Sequence, residues 1–209
     1  LDIPFSDRFS MCVINLDKLK NLNESKLKNL FKDFFNDTYL VDQNACSSPY
    51  LIAWYGKNKN YKNLFWKKFS IYLKNKYLIP EIGVMDKYTK LHEDIINLKS
   101  FKSYKIVDKN IYLVNLAKID SSICKLRSKW GYFYQLEINN LKDIFKISNK
   151  DFQTLTYFGF EKSYIEKKLI NLNLSGIDRI VPIGRSLEIN MLWDGYDLNN
   201  LLTKVTDLK

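Results

Sequence analysis

Asp42-Gln43-Asn44-Ala45-Cys46-Ser47-Ser48-Pro49-Tyr50-Leu51-Ile52-Ala53-Trp54-Tyr55-Gly56 runs from a polar loop, through a thiol, into an apolar segment stopped by glycine. Tyr50 to Tyr55 has the length and the aromatic content of a buried strand. Beyond Gly56, the residues Tyr61, Leu64, Phe65, Phe69 and Tyr72 recur every three or four positions, so a helix follows whose aromatic stripe belongs to a core. Working outward the other way, Leu19, Leu22, Leu27, Leu30, Phe31, Phe34 and Phe35 mark one helix, or two broken near Asn23. Ahead of them Arg8 to Asn15 is rich in β-branched and apolar types and is expected as a strand, with Cys12 in its core.

The alternation continues to the end of the chain. A helix is expected from about Asp86 to Leu98, strands at Ile111–Val114 and Tyr132–Leu136, and a helix from Asn140 to Ile147. A strand at Gln153–Phe158 stops at Gly159, and a helix runs from Glu161 to Leu172. A short strand then lies between Gly176 and Gly184, and Trp193-Asp194-Gly195-Tyr196-Asp197 forms a turn before a last helix. Strand, helix, strand, helix, strand is the succession of an α/β layer fold, not of a sandwich or a bundle.

Small and polar neighbours flank Cys46, which is how a reactive thiol is presented. Ser47 or Ser48 with Pro49 is the composition that caps and opens a helix, and free N–H groups at such an end would favour a thiolate. A buried structural cysteine is the competing reading, and base rates alone favour it. Cys12, Cys46 and Cys124 are far apart with no C-x-x-C spacing, which argues against a zinc knot and a disulfide framework and for a reducing, cytoplasmic setting. The single histidine, His92, sits among charges on a helical face, so chemistry at Cys46 is expected to do without imidazole.

At 209 residues the chain fits one domain. No apolar run reaches the length of a membrane span. The net charge of +10 invites a nucleic-acid partner, but it comes from scattered lysines, with Arg8, Arg127, Arg179 and Arg185 as the arginines, and arginine does most base reading and planar phosphate gripping. No nucleic-acid partner is therefore expected, while phosphate-bearing small molecules suit such a surface. The bracket Gly176 to Gly184 lacks the G-x-G-x-x-G spacing of a dinucleotide turn.

Three separated stretches, Ile3-Pro4-Phe5-Ser6-Asp7-Arg8-Phe9-Ser10, the Cys46 segment, and Arg179-Ile180-Val181-Pro182-Ile183-Gly184-Arg185 with Trp193 to Asp197, together resemble the long-chain acyl-CoA reductases of bacterial luminescence. Those enzymes belong to the aldehyde dehydrogenase superfamily. The resemblance implies a central, mostly parallel sheet flanked by helices, residues 1–209 forming a single catalytic domain, and a nucleotide-binding domain outside this chain. It implies that Cys46 takes the acyl group of a fatty acyl-CoA as a thioester, that NADPH reduces it to a fatty aldehyde, and that the Cys46 backbone N–H stabilises the oxyanion. The second oxyanion donor, an asparagine of the nucleotide-binding part, has no counterpart here, and Asn44 is not assigned that role. Asp2 is the candidate for the base upstream of the cysteine, with Asp7 as its neighbour. Trp130-Gly131-Tyr132-Phe133 stands where the superfamily contacts the nicotinamide ribose, without the usual Glu-x-Phe-Gly-Pro signature, so cofactor-binding residues stay unassigned. Arg185 and Trp193 to Asp197 are read as structural markers. An acyl-activating protein as donor, and a homo-oligomer or multienzyme complex, complete the expected partners, with no metal. An acyl carrier or transferase without reduction is the alternative, and a basic nucleic-acid-binding module a more distant one.

Overall fold

The computed structural model describes residues 8–58, 60–119, 121–145, 148–170 and 176–203. Strand β1 (Phe9–Asn15) passes directly into α1 (Leu16–Leu19), because the Asn15 side chain caps the backbone N–H groups of Asp17 and Lys18. Asn23 caps α2 (Glu24–Thr38) in the same way through Lys26 N–H, which explains the break foreseen near that residue. A 3-10 turn (Tyr39–Val41) leads to the loop that carries Cys46, and then come β2 (Pro49–Tyr55) and α3 (Asn60–Leu73). Next are α4 (Glu81–Asn97), β3 (Phe101–Asp108), β4 (Ile111–Leu116), β5 (Tyr132–Ile138) and α5 (Leu141–Phe145). The chain continues through β6 (Phe152–Phe158), α6 (Lys162–Ile170) and β7 (Arg179–Pro182), then the hairpin β8 (Leu192–Trp193) and β9 (Tyr196–Asp197), and α7 (Leu198–Leu202).

The seven strands β1 to β7 form one sheet in the order β3-β4-β5-β2-β1-β6-β7. Every neighbouring pair is parallel except β3 with β4. Side chains of β1 and β2 alternate between two cores, as the two-residue period of a strand requires. Cys12, Ile14, Ile52 and Trp54 meet Phe34, Phe65, Trp66 and Phe69 of α2 and α3 on one face. Met11, Val13, Leu51 and Ala53 share the other core with Leu91, Leu141, Ile144 and Ile165 of α4, α5 and α6. The expected α/β architecture is the observed one, and the aromatic stripe of α3 is core.

Three expectations need correction or extension. Helix α4 starts at Glu81, five residues before the foreseen Asp86, because Pro80 at its N-cap supplies the fixed backbone from which it starts. Strand β3 was not foreseen, since its residues are largely exposed and Lys102, Ser103 and Lys105 interrupt any apolar pattern. It is an edge strand held by antiparallel pairing to β4. The third correction concerns the segment after Cys46 and belongs to the site.

A buried polar network lies inside the α2–α3 face. Gln135 of β5, 3% exposed, accepts from the indoles of Trp54 (2.9 Å) and Trp66 (3.0 Å) and donates to Asn115 (2.9 Å). Both indole N–H groups depend on that one amide oxygen, and an orphaned buried donor costs about 1–3 kcal/mol. Gln135→Leu is therefore expected to lower the unfolding free energy by about 2–4 kcal/mol in urea titrations, with the slope unchanged.

Candidate active site around Cys46

Cys46 lies in a turn closed by the Ser48 N–H on the Ala45 carbonyl (2.9 Å), and Pro49 opens β2, not a helix. The helix expected at Ser47-Ser48-Pro49 does not form. The apolar run from Tyr50 is taken up between β1 and β5, and proline, which lacks a donor, is tolerated as the first residue of a strand. No helix end therefore faces the thiol from this segment. Cys46 is partly exposed, whereas Ser47 and Ser48 are buried.

Ser10 holds the turn from below. Its hydroxyl donates to the Cys46 carbonyl (2.6 Å) and accepts the Thr154 N–H (3.2 Å), linking β1, the cysteine turn and β6. The pairing register shifts at this point on both sides of β1, and such a bulge re-aims a side chain away from the ladder. Among the described residues no hydrogen bond uses the Cys46 backbone N–H. Asn44 turns its own side-chain amide back to the Val41 carbonyl (3.3 Å).

From the side, the turn is clamped by two pairs of residues with left-handed backbone. Asp42 (φ 53°) and Gln43 (φ 62°) face Trp130 (φ 62°) and Gly131 (φ 78°). The Trp130 N–H donates to the Asp42 carbonyl (3.1 Å), and the Gly131 N–H donates to the Gln43 side chain (3.1 Å). The same Gln43 amide donates to the Pro49 carbonyl (3.0 Å), so one fully buried side chain spans from β5 to the far end of the cysteine turn. Left-handed non-glycine residues cost on the order of 1–3 kcal/mol each and persist where the surroundings over-determine them. Here Tyr77 adds a bond to the Asp42 carboxylate (2.6 Å), and Gly131 is required because a Cβ would collide with the Asn110 carbonyl and the Tyr39 hydroxyl.

A cleft of about 630 Å³ opens beside this clamp, between α4 and the segment leading into β5. Asn44 and Tyr50, which bracket the cysteine turn, line it together with Lys90, Arg127, Lys129 and Trp130. Behind the lining residues Lys90 and Tyr132, Asp94 is buried and accepts from Tyr132 (2.6 Å), Tyr134 (2.7 Å) and Lys90 (2.8 Å). Burial, and the Asp94 carboxylate with its hydrogen bonds, push both tyrosine hydroxyls well above the ordinary range. Lys87, 1% exposed, donates to the Lys109 carbonyl (2.6 Å) and lies 4.6 Å from the Tyr112 ring centre. Burial brings its pKa down to about 7, against the opposing pull of Asp108.

The other sequence candidates fall elsewhere. Asp2 and Asp7, with the Ile3 to Ser6 part of the first motif, lie outside the described residues. Cys12 is buried in the α2–α3 core and its thiol is pushed far up by desolvation; that of Cys124 is raised for the same reason. The three cysteines form no disulfide. His92 is exposed on α4, its ring against Tyr88 (4.3 Å) and its Nδ1 2.8 Å from the Tyr88 carbonyl. Arg179 donates to the carbonyls of Ser186 (3.0 Å), Arg185 (3.2 Å) and Glu188 (2.8 Å) and lies 4.7 Å from the Trp193 ring centre, so these marker residues brace the end of the chain. Among the described residues no cluster of histidine, cysteine and carboxylates could hold a metal, and no helix is long and apolar enough to cross a membrane.

No protein-family model matches the chain, and no curated protein matches it. Solved structures do. Aldehyde dehydrogenase 21 from Physcomitrella patens, in complex with its reaction product succinate, superposes with a TM-score of 0.59 at 12% identity over 90% of this chain and 42% of its own. Lactaldehyde dehydrogenase from Escherichia coli gives 0.53 at 10% identity, over 89% and 40%. An NAD-dependent benzaldehyde dehydrogenase from Corynebacterium glutamicum gives 0.50 at 10%, over 90% and 41%. The fold is the aldehyde dehydrogenase fold. The chain spans about two-fifths of the length of these structures. In this aldehyde dehydrogenase fold Cys46 and Trp130-Gly131 sit where the chain enters β2 and β5, at the amino ends of parallel strands, whereas ligands of open doubly wound sheets gather at the carboxyl ends.

Two measurements check this geometry. At neutral pH, iodoacetamide is expected to alkylate Cys46 well before Cys124 and Cys12, read by peptide mass spectrometry after short exposure; equal labelling would contradict the burial assigned here. For Lys87 the folded pKa lies below the unfolded one, so as pH falls from about 10 to 7 the unfolded chain takes up a proton that the folded chain refuses, and stability is lost. Lys87→Met should therefore gain on the wild type by roughly 2–4 kcal/mol between pH 10 and pH 6 in chemical denaturation.

Proposed function

We propose that this chain is the acyl-accepting catalytic part of a cytoplasmic, NADPH-dependent long-chain acyl-CoA reductase. The carrying observation is Cys46 itself: a partly exposed thiol in a turn held from two sides, with Asn44 and Tyr50 on either side of the turn lining an open cleft. In the chemistry proposed, the Cys46 thiolate attacks the carbonyl carbon of the acyl thioester, the carrier thiolate leaves and takes a proton, and the acyl group stays on Cys46. The Cys46 backbone N–H, which no hydrogen bond among the described residues uses, is the group this reading assigns to the developing oxyanion.

Reduction balances as acyl-enzyme, NADPH and a proton giving aldehyde, NADP+ and the regenerated thiol. NADPH supplies the hydride when bound. The described residues do not fit its pyrophosphate: the turns after β1 and β5 contain no glycine, and those after β2 and β6 contain Gly56 and Gly159 alone. No reductive step is therefore assigned to side chains of this chain; the second reading is an acyl carrier or transferase. An acyl-activating protein would supply the donor, and a homo-oligomer or multienzyme complex would hold the two together.

Full-length protein incubated with labelled long-chain acyl-CoA is expected to form a hydroxylamine-sensitive adduct that Cys46→Ala abolishes. Label persisting in that variant would place the nucleophile elsewhere. Added NADPH separates the two readings: release of aldehyde supports the reductase, and thioester exchange without aldehyde supports the transferase.

A further inference from the structure

We infer that Asp194, at the tip of the β8–β9 hairpin, is a positioning residue for Cys46: it holds the bulge between β1 and β6 from which Ser10 grips the cysteine turn. The inference rests on Cys46 as the acyl acceptor and gives the hairpin at the end of the chain a part in that site.

The bulge comes first. Phe9 pairs with Phe152 and Met11 with Leu155, so Ser10 alone faces two residues of β6, Gln153 and Thr154. Such an extra residue bends its strand and re-aims the side chains around it. The Thr154 N–H goes to the Ser10 hydroxyl (3.2 Å), and that hydroxyl turns its own proton to the Cys46 carbonyl (2.6 Å). The carbonyl of the cysteine is therefore placed by the shape of the bulge.

Asp194 ties that bulge from both strands. Gln153, the other bulge residue, is buried and donates its side-chain amide to the Asp194 carboxylate. The same carboxylate lies 3.7 Å from the guanidinium of Arg8, which leads into β1 two residues before Ser10. Arg8 also pairs with Asp178 and donates to the Phe152 carbonyl (3.1 Å), so β1 and β6 enter the bulge already joined.

The hairpin is built to deliver this carboxylate. Asp194 (φ 50°) and Gly195 (φ 79°) form a two-residue turn with both backbones left-handed, the form that Asp-Gly favours. Leu192 and Tyr196 are exposed, yet the Asp194 side chain between them is only 5% exposed. Burying an acid at the tip of an exposed hairpin costs desolvation, which Arg8 and Gln153 offset. Trp193 beside it lies 4.7 Å from the Arg179 guanidinium, so the tip cannot swing away without breaking that contact. Arg8 and Ser10 of the first motif stretch, Cys46 of the second and Asp194 of the third thus meet in one network.

The experiment uses full-length protein, with a long-chain acyl-CoA and iodoacetamide as the two thiol probes. Asp194→Ala is expected to slow acylation of Cys46 on the order of tenfold and to leave alkylation within about twofold, since placement changes and exposure does not. Asp194→Asn keeps an oxygen for Gln153 and should recover most of the rate. Asp197→Ala removes the N-cap of α7 without touching the bulge, and should leave both rates within about twofold of wild type. In a Ser10→Ala background, Asp194→Ala should cost less than about twofold, because effects that pass through one group do not add. Additive losses, or equal losses from Asp194→Ala and Asp197→Ala, would overturn the assignment. Gln153→Met cuts the same tie from the β6 side and carries the same expectation if Asp194→Ala does not fold; an unchanged acylation rate there would overturn it equally.

The backbone amide resonance of Cys46, observed with isotope-labelled cysteine, answers the question even if Cys46 takes no acyl group. Asp194→Ala should move that resonance and Asp197→Ala should not. A wild type that is never acylated, with the resonance moved by Asp194→Ala, would remove the acyl reading and leave the positioning role. A resonance that stays in place in Asp194→Ala would overturn the positioning role itself.

Discussion

The Gln43 side-chain amide is the interaction on which the site depends. Its oxygen accepts from Gly131 at the start of β5, and its nitrogen donates to Pro49 at the start of β2. Between those two bonds lies the whole cysteine turn. Because Asp42, Gln43 and Trp130 carry left-handed backbones without being glycine, the turn is held against a local cost, and the bonds of Gln43, Asp42 and Tyr77 offset it. Ser10 then fixes the carbonyl of the cysteine from the opposite side. The thiol is thereby separated from the two other cysteines, both buried, by the placement of its backbone and not by any special neighbour.

That placement explains why the site stands at the amino ends of the parallel strands. A loop entering a strand can be tied to the loop entering the adjacent strand, and β2 and β5 are adjacent in the sheet. The βα turns at the carboxyl ends, where phosphates are gripped in doubly wound sheets, carry at most one glycine here. Basic and acidic side chains together line the cleft between α4 and the segment before β5 instead.

Much of this was legible in the residues and some was not. Tyr50 to Tyr55 and the spacing from Tyr61 to Tyr72 announced β2 and α3, because a two-faced buried strand and a wide aromatic stripe are both strong periodic signals. Ser47-Ser48-Pro49 misled, since the same residues that cap helices also make turns, and only the pairing of β2 between β1 and β5 decides between them. Strand β3 was invisible because an exposed edge strand has no buried face to generate a pattern. Cys46 stood out within its motif, yet Gln43 beside it carried no signal, for its partners Gly131 and Pro49 are brought together by the sheet and not by their spacing along the chain. The cleft was equally hidden: the lysines that line it are a small part of a charge spread over the whole sequence.

If the clamp presents Cys46 for acyl transfer, removing it should harm positioning more than thiol exposure. The direct measurement compares, in full-length protein, the rates at which Cys46 is acylated by a long-chain acyl-CoA and alkylated by iodoacetamide, with and without Gln43→Ala. Misplacement of a nucleophile by about 1 Å costs up to about a hundredfold in a positioned reaction, whereas alkylation needs only an accessible thiolate. The result expected is a loss of acylation of at least about tenfold with alkylation within about twofold of wild type. Unchanged acylation in Gln43→Ala, or acylation and alkylation falling together, would contradict the account.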